Sequence, residues 1–522
     1  MIQGTGSGVG KSLIVVALCR IFNQMGVKVA PFKAQNMALN SYVTIEGGEI
    51  GRAQALQAMA AGIEPSIYIN PILLKATGES GSQVILLGKV HSNMSAHEYY
   101  RFRDNAWPYV EDALQVLSAQ YDLVLIEGAG SPAEINLMDV EIVNMAVARH
   151  TDSPVILVGD IDRGGVFASL YGTVALLPQD ALRIKGFIIN KFRGDRGILS
   201  SGIEMLSEKT GIPVLGVLPY VSGLRLPEED GLGIDVYRRY RESPCNRPIK
   251  VTVLRLKYMS NFTDFDPFLY EPDVELSYSL RADEIINSDL IIIPGSKNTV
   301  SDLLFLRDNG IEAVLKKAVE SGVSIAGICG GYQMLGSVLY DPLCVESHVK
   351  EITGLGYLDI STTFNRTKAT RRVKAVLCKT PWGWAGISQG AEALSDLLGY
   401  EIHMGQSEGQ MGLFKVSSID GKHQYVEGSV KENVWGTYLH GIFENDCFRR
   451  LLINALRSRR KLPPLDVSVN YRQVMFESLD ILVEIVKTHL DMEAIYGIVE
   501  KRRGRRCPPS DPSARGPVPL TP

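Results

Sequence analysis

Short apolar runs rich in β-branched residues alternate with longer helix-like stretches over residues 1–220 of the chain. Continuous apolar strands that are separated by helices are typical of a parallel sheet covered on both faces. We therefore predict an α/β domain with a parallel sheet, whose strands cover 26–32, 121–127, 154–159, 184–190 and 213–218.

A charged, proline-containing stretch over 224–247 interrupts this pattern, and a second α/β series follows it. Its predicted strands cover 249–256, 289–294 and 323–328, with further strand material at 354–364, 399–405 and 434–441. Such a break is typical of a domain boundary. The predicted organisation is a domain over 1–235, a linker over 236–248, a second domain over 249–445, a helical extension over 446–500 and a disordered, solvated, Arg- and Pro-rich tail over 501–522.

The composition adds constraints on partners and on the cellular compartment. Of the 522 residues, 45% are hydrophobic, and 54 Lys and Arg face 58 Asp and Glu, which excludes a disordered chain and argues against nucleic-acid binding. We find neither an apolar run long enough to predict a membrane span nor the pattern of a signal peptide. Seven scattered cysteines without CxxC pairs indicate reduced thiols, a cytoplasmic location and no structural metal site, and the oligomeric state stays open.

The N-terminal sequence GTGSGVGKS leads directly into an apolar helix and is typical of a phosphate-binding loop. Glycines let backbone N–H groups curl around phosphates, the Lys places positive charge on the transferred group, and the Ser would hold Mg²⁺. Thr5 stands where the strict pattern has its first Gly, and the strand before Gly4 is predicted to be cut short or to begin upstream. The predicted nucleotide-binding residues are Gly4, Thr5, Gly6, Gly8, Gly10, Lys11 and Ser12.

Carboxylates follow two of the predicted strands where a second magnesium ligand is needed. Glu127 ends the strand YDLVLIE, and Asp160 and Asp162 end the next strand along the chain. A carboxylate at the C-terminal end of a central strand, beside a phosphate-binding loop, is suited to hold Mg²⁺. Carboxylates in such places also cap helices, and that structural alternative stays open for all three.

Cys329 is the candidate nucleophile of the second domain. The strand SIAGI runs into this Cys, which is followed by two glycines and a helix, as in a nucleophile elbow, where the helix N-terminus favours the thiolate. A histidine base is then required, and residue context favours His440 in the sequence GTYLHG, with His403 as the competitor. The backbone N–H groups at Gly295 and Ser296 are predicted to form an oxyanion hole with that of Gly330.

The combination of these motifs with many collinear blocks resembles the cobyric acid synthase family, the glutamine-dependent amidoligases of cobalamin synthesis. The resemblance covers about residues 2–445. It rests on the blocks FKAQNMALNS, RAQALQA, NPILLKATGESGSQVILLGK, EGAGSPAEINL, GDIDRGGVFASLYGT, NKFRGD, LPEEDG, SNFTDFDP, PGSKNTVSDL and GYEIHMG.

The resemblance implies a dethiobiotin-synthetase-like P-loop domain followed by a class I, triad-type glutamine amidotransferase domain. The first domain would activate a carboxylate with ATP and Mg²⁺, and Cys329 and His440 of the second would release ammonia from glutamine. The acceptor would be the corrinoid adenosylcobyrinic acid a,c-diamide, amidated at its b, d, e and g carboxylates. The resemblance also suggests roles in binding the phosphates or the corrinoid for Lys33, Gln35 and Asn36, in binding the acceptor carboxylate for Lys75, and in binding adenine for Asn190 with Lys191.

Many triad amidotransferases have a Glu two residues after the His, but this chain has Ile442 there, so His440 needs another orienting group, for which Glu444 is a hypothesis. Three alternatives stay open. The chain resembles cobyrinic acid a,c-diamide synthase, which has the same two domains and different target carboxylates. It could also be a P-loop regulatory ATPase with a non-catalytic second domain, or an amidotransferase that uses only free ammonia.

Overall fold

The computed structural model describes residues 1–77, 81–221, 223–227, 247–380, 394–467 and 469–503. The predicted linker lies outside these residues, except for its last two positions. The predicted tail lies outside them from residue 504 onward. Among the described helices, none combines the length and the apolar composition that crossing a bilayer requires.

The first domain contains twelve strands and six α-helices within the described residues. The strands are β1 (Ile2–Gly4), β2 (Val29–Phe32), β3 (Gln35–Met37), β4 (Ser41–Val43), β5 (Glu49–Gly51), β6 (Ile72–Ala76), β7 (Gly81–Leu86), β8 (Lys89–Ser95), β9 (Leu123–Ile126), β10 (Val155–Asp160), β11 (Ile184–Phe192) and β12 (Val214–Pro219). The helices are α1 (Lys11–Gln24), α2 (Arg52–Ala60), α3 (Ala96–Gln120), α4 (Met145–His150), α5 (Val166–Ala175) and α6 (Ser200–Thr210), with 3₁₀ helices at Ile67–Ile69, Ala181–Arg183 and Arg196–Leu199.

A parallel sheet in the order β2–β9–β1–β10–β11–β12 forms the centre of this domain, with β9 joined to β1 through a bridge between Glu127 and Ile2. Each of the five predicted strands is present. The strand before the phosphate-binding loop is present too, because β1 pairs with β10 and the Met1 ammonium donates to the Pro154 carbonyl at 2.8 Å.

Residues 35–95 contain strands that the hydrophobic pattern did not predict. They form a sheet in the order β3–β6–β7–β8 and the hairpin β4–β5. Exposed and half-buried residues alternate along β8, so this edge strand has no continuous apolar run. This insertion lies between the parallel sheet and the second domain, and it carries several of the candidate substrate residues.

Within its described residues the second domain contains a further twelve strands, and the helices from residue 282 onward continue the numbering. The strands are β13 (Ile249–Leu254), β14 (Val274–Ser279), β15 (Leu290–Ile293), β16 (Ser324–Ile328), β17 (Val338–Tyr340), β18 (Glu351–Thr353), β19 (Ile360–Leu377), β20 (Leu397–Gly409), β21 (Phe414–Ser418), β22 (Gln424–Glu427), β23 (Ser429–Lys431) and β24 (Val434–Thr437). The helices are α7 (Ala282–Ile286), α8 (Thr299–Asp308), α9 (Ile311–Glu320), α10 (Gly330–Leu335), α11 (Asp446–Arg459), α12 (Tyr471–His489) and α13 (Met492–Arg503), with 3₁₀ helices at Phe262–Tyr270 and Ile442–Glu444.

One sheet of this domain runs β14–β13–β15–β16–β24–β23 and is parallel except for its last strand. The other runs β18–β17–β19–β21–β22, with β20 paired antiparallel to β19. Strand β16 leads into Cys329 and pairs with β24, which leads toward His440. The parallel register therefore brings the two candidate catalytic residues to the same edge of the sheet.

The predicted helical extension over 446–500 divides between the two domains. Apolar side chains of α11 belong to the core of the second domain. Helix α12, by contrast, packs Leu479, Leu482 and Val486 into the core of the first domain beneath α1, and the Asp491 N–H donates to the Leu215 carbonyl at 2.7 Å. The last helix continues through Arg503 rather than ending at residue 500, which fits the high helix propensity of Lys and Arg.

Candidate active sites

The phosphate-binding loop connects β1 to α1 in a conformation that requires glycine. Gly10 has φ +102°, and a Cβ added there would lie 2.1 Å from Nδ2 of Asn190. That amide donates to the Val9 carbonyl at 2.8 Å. Asn190, predicted to contact adenine, therefore holds the loop backbone in this structure, and any other residue at position 10 would displace it.

Lys11 folds back over the loop that precedes it. Its Nζ donates to the Gly6 carbonyl at 2.8 Å and to the Gly130 carbonyl at 3.1 Å. The Thr5 N–H donates to the Val158 carbonyl at 2.9 Å, so Thr5 continues the pairing of β1 and the turn begins after it. Because Thr5 still continues the pairing of the strand, its backbone conformation does not require Gly at position 5. The left-handed Gly8, with φ +70°, lies within the turn.

Glu127 lies at the centre of a buried polar cluster beside the loop. Its Oε1 accepts from Ser12 Oγ at 2.8 Å and from Lys33 Nζ at 2.9 Å, and its Oε2 accepts from Gln57. Burial alone would raise the pKa of Glu127, but Lys33 and the donated hydrogen bonds lower it below its usual value. Glu127 is therefore held as a carboxylate next to the Ser12 hydroxyl.

This pair of oxygen donors fits a magnesium ion that is bound together with a nucleotide. Mg²⁺ prefers one or two carboxylates and completes its coordination with phosphates and water. Within the described ranges, no group of three or more His, Cys, Asp or Glu residues is arranged to hold a metal. A magnesium ion at Ser12 and Glu127 would therefore need the nucleotide phosphates as further ligands.

Asp160 and Asp162 have other partners. Asp160 Oδ2 accepts from Lys191 Nζ at 2.8 Å, and the same ammonium donates to the Gly8 carbonyl at 2.6 Å. Asp162 accepts from Arg193 Nε at 2.9 Å. Asp160, predicted as a metal ligand, is thus tied to the loop backbone through Lys191, and the structure shows it pairing with that cation rather than joining Ser12 and Glu127.

The predicted substrate residues after β2 surround the same cluster. Lys33 is bonded to Glu127, Gln35 accepts from the Tyr99 hydroxyl at 2.5 Å, and Asn36 Nδ2 donates to Gln54 at 2.7 Å. Gln54 Nε2 and Gln57 Oε1, both on α2, are buried without a hydrogen-bond partner in the described structure. Because buried polar atoms are rarely left unsatisfied, these amides mark a place where a polar ligand fits. The sequence analysis did not single out Gln54 or Gln57.

Lys75 lies apart from this cluster, at the boundary between the two domains. Its Nζ donates to Ser41 Oγ at 2.9 Å and to Glu49 Oε1 at 2.8 Å. Lys368 of the second domain donates to the other oxygen of Glu49 at 2.5 Å. The ammonium predicted to bind an acceptor carboxylate is therefore already paired with a buried carboxylate.

Cys329 occupies the strained turn expected of a nucleophile elbow. Its φ of 51° and ψ of −107° place a non-glycine residue in a region that L-residues rarely adopt. A Cβ added at Gly331 would lie 1.9 Å from the Ile293 carbonyl oxygen, so the helix can pack against β15 only with glycine there. The turn holds the thiol at the C-terminal edge of β16, and 6% of the residue is exposed.

His440 is hydrogen-bonded to Asp264, and Cys329 lies near enough to raise the pKa of His440 as well. Its Nδ1 lies 2.6 Å from Asp264 Oδ2, and Asp264 Oδ1 accepts from the Gly441 N–H at 3.2 Å. Burial opposes the imidazolium, but Asp264 and Cys329 outweigh it and raise the pKa of His440 to about 10. Cys329, His440 and Asp264 thus form a nucleophile–base–acid triad.

The competing candidates have other partners. His403 Nδ1 lies 2.6 Å from the Gly405 carbonyl, its ring stacks on Tyr438, and burial lowers its pKa to about 3, so it is neutral. Glu444, hypothesised to orient His440, pairs instead with Arg52 of the first domain at 2.5 Å. Asp264 takes the orienting place. It lies in the block SNFTDFDP, but nothing in that block alone distinguishes Asp264 from Asp266.

The predicted oxyanion-hole segments lie against each other beside the triad. A Cβ at Gly330 would lie 2.8 Å from the Ser296 nitrogen, and one at Gly295 would lie 3.2 Å from His440 Cε1. The buried Asp302 accepts from Ser296 Oγ at 2.6 Å and from the Tyr258 N–H at 3.1 Å. Asp302 therefore orders the loop that carries Gly295 and Ser296, a role not predicted from the sequence.

Comparison with known proteins agrees with this geometry. A model of the CobQ/CobB/MinD/ParA nucleotide binding domain matches residues 1–233, and one of the CobB/CobQ-like glutamine amidotransferase domain matches residues 250–448. The cobyric acid synthase of Thermodesulfovibrio yellowstonii is 48% identical over 95% of this chain and 98% of its own length. That of Caldanaerobacter subterraneus subsp. tengcongensis is 48% identical over 97% and 99%, respectively.

The chain belongs to the cobyric acid synthase family. It is accordingly a glutamine-hydrolysing carbon–nitrogen ligase with an ATP-binding P-loop domain and a class I amidotransferase domain. Family membership over nearly the whole chain rules out a regulatory ATPase with a non-catalytic second domain.

Solved structures also resemble parts of the chain. A crystal structure of a glutamine amidotransferase is 18% identical and covers 40% of this chain and 98% of its own, with a TM-score of 0.29. The GDP complex of the signal recognition particle receptor FtsY from Elizabethkingia anophelis is 19% identical and covers 42% and 55%, with a TM-score of 0.26. TM-scores this low carry no argument about function.

Proposed function

We propose that the protein uses ATP, Mg²⁺ and glutamine to amidate the b, d, e and g carboxylates of adenosylcobyrinic acid a,c-diamide. The observation that supports this most directly is the presence, in one chain, of a P-loop site with a buried carboxylate and of a Cys329–His440–Asp264 triad. The acceptor is the one that the family resemblance implies, and the full-length relatives are named cobyric acid synthases.

Glutamine hydrolysis is assigned to the triad. The Cys329 thiolate attacks the side-chain carboxamide carbon, and the N–H groups of Gly295 and Gly330, with that of Ser296 beside them, stabilise the oxyanion that forms. His440 gives its proton to the departing nitrogen, so that ammonia leaves and a glutamyl thioester remains. Water then attacks the thioester with His440 as the base, which releases glutamate and restores the thiol.

Carboxylate activation is assigned to the P-loop site. A carboxylate is inert to ammonia, so an acceptor oxygen attacks the γ-phosphorus of ATP, giving an acyl phosphate and ADP, and ammonia then displaces phosphate. Lys11 and the loop N–H groups would hold the transferred phosphoryl group. Ser12 and Glu127 would hold Mg²⁺, which supplies positive charge to the phosphates when bound. Asp160, through Lys191, would order the loop.

The acceptor and nucleotide are proposed to lie against the polar cluster around Glu127. Asn36, Gln54 and Gln57 would bind them, since Gln54 and Gln57 have buried amide atoms without partners in the described structure. Lys33, which pairs with Glu127, would supply positive charge beside the phosphates. Lys75 would act at the domain boundary instead of on the acceptor.

We further propose that the enzyme works in the cytoplasm on small molecules and without nucleic acid. The near-balanced charge of −4 supports this, as do the free thiols of the described cysteines. The oligomeric state is a question for direct measurement of the molecular mass in solution.

The proposal is tested with adenosylcobyrinic acid a,c-diamide as acceptor, ATP and either glutamine or ammonium as nitrogen source. Mass spectrometry counts the amides formed. Wild-type protein should form four amides from either source, whereas Cys329→Ala should form them only from ammonium. Amidation only of cobyrinic acid, at the a and c positions, would favour the a,c-diamide synthase instead. Activity with ammonium alone in the wild type would indicate a degenerate amidotransferase domain.

A further inference from the structure

Two buried residues of the first domain, Asn40 and Ser41, contact the residues that position the triad of the second domain. Asn40 Oδ1 accepts from the Phe262 N–H at 3.0 Å. The Ser41 N–H donates to Asn261 Oδ1 at 2.8 Å. Both Asn40 and Ser41 are 1% exposed, so these hydrogen bonds form away from water.

Asn261 and Phe262 directly precede the triad acid. The 3₁₀ helix that carries Asp264 begins at Phe262, and the Asp264 N–H donates to the Asn261 carbonyl at 3.0 Å. Asn261 Nδ2 lies 3.4 Å from His440 Nδ1. Asn261 also has φ 52°, a left-handed conformation that a non-glycine residue adopts only when its surroundings hold it there. The two bonds from the first domain are part of those surroundings.

Ser41 also reaches the other side of His440. Its carbonyl accepts from the Tyr400 hydroxyl at 3.3 Å. The Tyr400 ring stacks on the His440 ring with centroids 5.3 Å apart, and the backbones of the two residues exchange hydrogen bonds of 2.9 and 3.1 Å. The backbone of one residue in the first domain thus contacts the neighbours of His440 on two sides.

We propose that Asn40 and Ser41 are positioning residues for glutamine hydrolysis, so that the amidotransferase site is complete only when the first domain is docked on it. The inference rests on the proposed roles of Cys329, His440 and Asp264. Neither Asn40 nor Ser41 touches glutamine; each acts through Asn261, Phe262 or Tyr400 on the orientation of Asp264 and His440.

Another inter-domain contact provides a matched comparison. Glu64 of the first domain pairs with Arg372 of β19 at 2.9 Å, and the Glu64 side chain is 67% exposed. This pair joins the same two domains, but an exposed ion pair contributes little to stability. In the described structure Glu64 contacts none of Asn261, Phe262 and Tyr400, so Glu64→Gln is the matched control that changes the boundary between the domains without changing the contacts of Asn40 and Ser41.

The test uses the full-length enzyme and compares Asn40→Leu, Asn40→Asp and Glu64→Gln. The measured quantity is the ratio of the glutamine-dependent to the ammonium-dependent amidation rate, which cancels any effect on the P-loop site. Asn40→Leu removes the acceptor for the Phe262 N–H, and we expect the ratio to fall about tenfold, as for loss of one buried hydrogen bond. Asn40→Asp keeps an acceptor oxygen and should stay within about threefold of wild type.

Asn40→Leu should also move the basic limb of the pH profile for glutamine-dependent kcat/KM to lower pH, because a displaced Asp264 supports the His440 imidazolium less well. A merely structural role would lower both rates and leave this limb in place. Tyr400→Phe, which keeps the ring and removes only the hydroxyl bond to Ser41, should lower the ratio about threefold and covers the case in which Asn40→Leu misfolds.

An unchanged ratio in folded Asn40→Leu and in Tyr400→Phe would overturn the inference, as would an equal fall in Glu64→Gln. The same assay measures glutamine hydrolysis by the wild type and by Cys329→Ala, and we expect hydrolysis only by the wild type. Absence of hydrolysis by the wild type would refute the proposed function itself, whereas an active wild type with an unchanged ratio in the variants refutes only the role of Asn40 and Ser41.

Discussion

Each of the two sites contains a buried pair of an acid and a base, but the two pairs differ in which partner controls the ionisation of the other. At the P-loop site, Lys33 holds the Glu127 carboxylate at 2.9 Å, next to Ser12. At the amidotransferase site, Asp264 holds the His440 imidazole at 2.6 Å, next to Cys329. In the first pair a cation keeps an acid ionised, and in the second an acid keeps a base protonated. The first pair keeps a carboxylate beside the Ser12 hydroxyl, whereas the second keeps an imidazolium beside Cys329.

The pairs therefore respond to opposite ends of the pH scale. The pKa of Glu127 is lowered, so its contribution to stability is present above the usual carboxylate pKa and is lost as the pH falls below it. The pKa of His440 is raised, so its contribution is complete below the ordinary imidazole value and is lost as the pH rises through about 10. Acid thus weakens the nucleotide site first, and base weakens the amidotransferase site first.

The largest effect is expected at Lys11, and it distinguishes the two sites because the loss of amidation should be the same with either nitrogen source. Lys11→Ala removes the charge proposed to hold the transferred phosphoryl group, and we expect amidation to fall about a thousandfold with glutamine and with ammonium alike. Initial rates with the two nitrogen sources measure this. Loss of only the glutamine-dependent rate would show that Lys11 does not serve carboxylate activation. Cys329→Ala, which should lose only the glutamine-dependent rate, is the reciprocal control.

A smaller effect is expected at the orienting acid. Asp264→Asn keeps the size of the side chain and removes its charge, and we expect glutamine-dependent kcat/KM to fall about a hundredfold. Because Asp264 raises the pKa of His440, its loss should move the basic limb of the pH profile to lower pH. The profile is measured with glutamine between neutral pH and pH 10. An unmoved limb would contradict the triad, and the ammonium-dependent rate serves as the control.

The smallest effect is expected at Glu444, the other acid near His440. Glu444→Gln weakens the bond to Arg52 across the domain boundary, and we expect a loss of about 1 kcal/mol in unfolding free energy. The glutamine-dependent rate should stay within about twofold of wild type. Thermal unfolding and initial rates check both expectations. A fall comparable to that of Asp264→Asn would return Glu444 to the triad.

A site could be predicted from the sequence to the extent that its residues lie close together along the chain. The P-loop residues lie within nine positions, 4–12, and Cys329 lies in a strand–turn–helix pattern that a few residues determine. Asp264 is 176 positions from His440, and no local pattern connects them. Glu444 was the nearer acid along the chain and was the wrong candidate, since β24 and the turn after it direct His440 toward the 3₁₀ helix at Phe262–Tyr270.

The same reasoning applies to the fold. Continuous apolar runs predicted most of the parallel strands of both domains because a strand buried on both faces must be apolar along its length. They did not predict the parallel edge strand β14, in which several positions are only half-buried. The short strands at 35–95 and the return of α12 to the first domain were not predicted. The apolar face of α12 could pack against either domain. Only the tertiary structure shows that Leu479 and Leu482 lie beneath α1 in the first domain.

The sequence by itself determined the two kinds of chemistry, because a phosphate-binding loop and a nucleophile elbow depend on glycines and reactive side chains a few bonds apart. Only the tertiary structure decided which acid orients His440, which cation holds Glu127 and how Asn40 and Ser41 reach the triad. Those choices are hydrogen bonds between residues that are distant along the chain. They exist only after folding has brought these distant segments together, within a domain or between the two, and excluded the water that would otherwise satisfy the same groups.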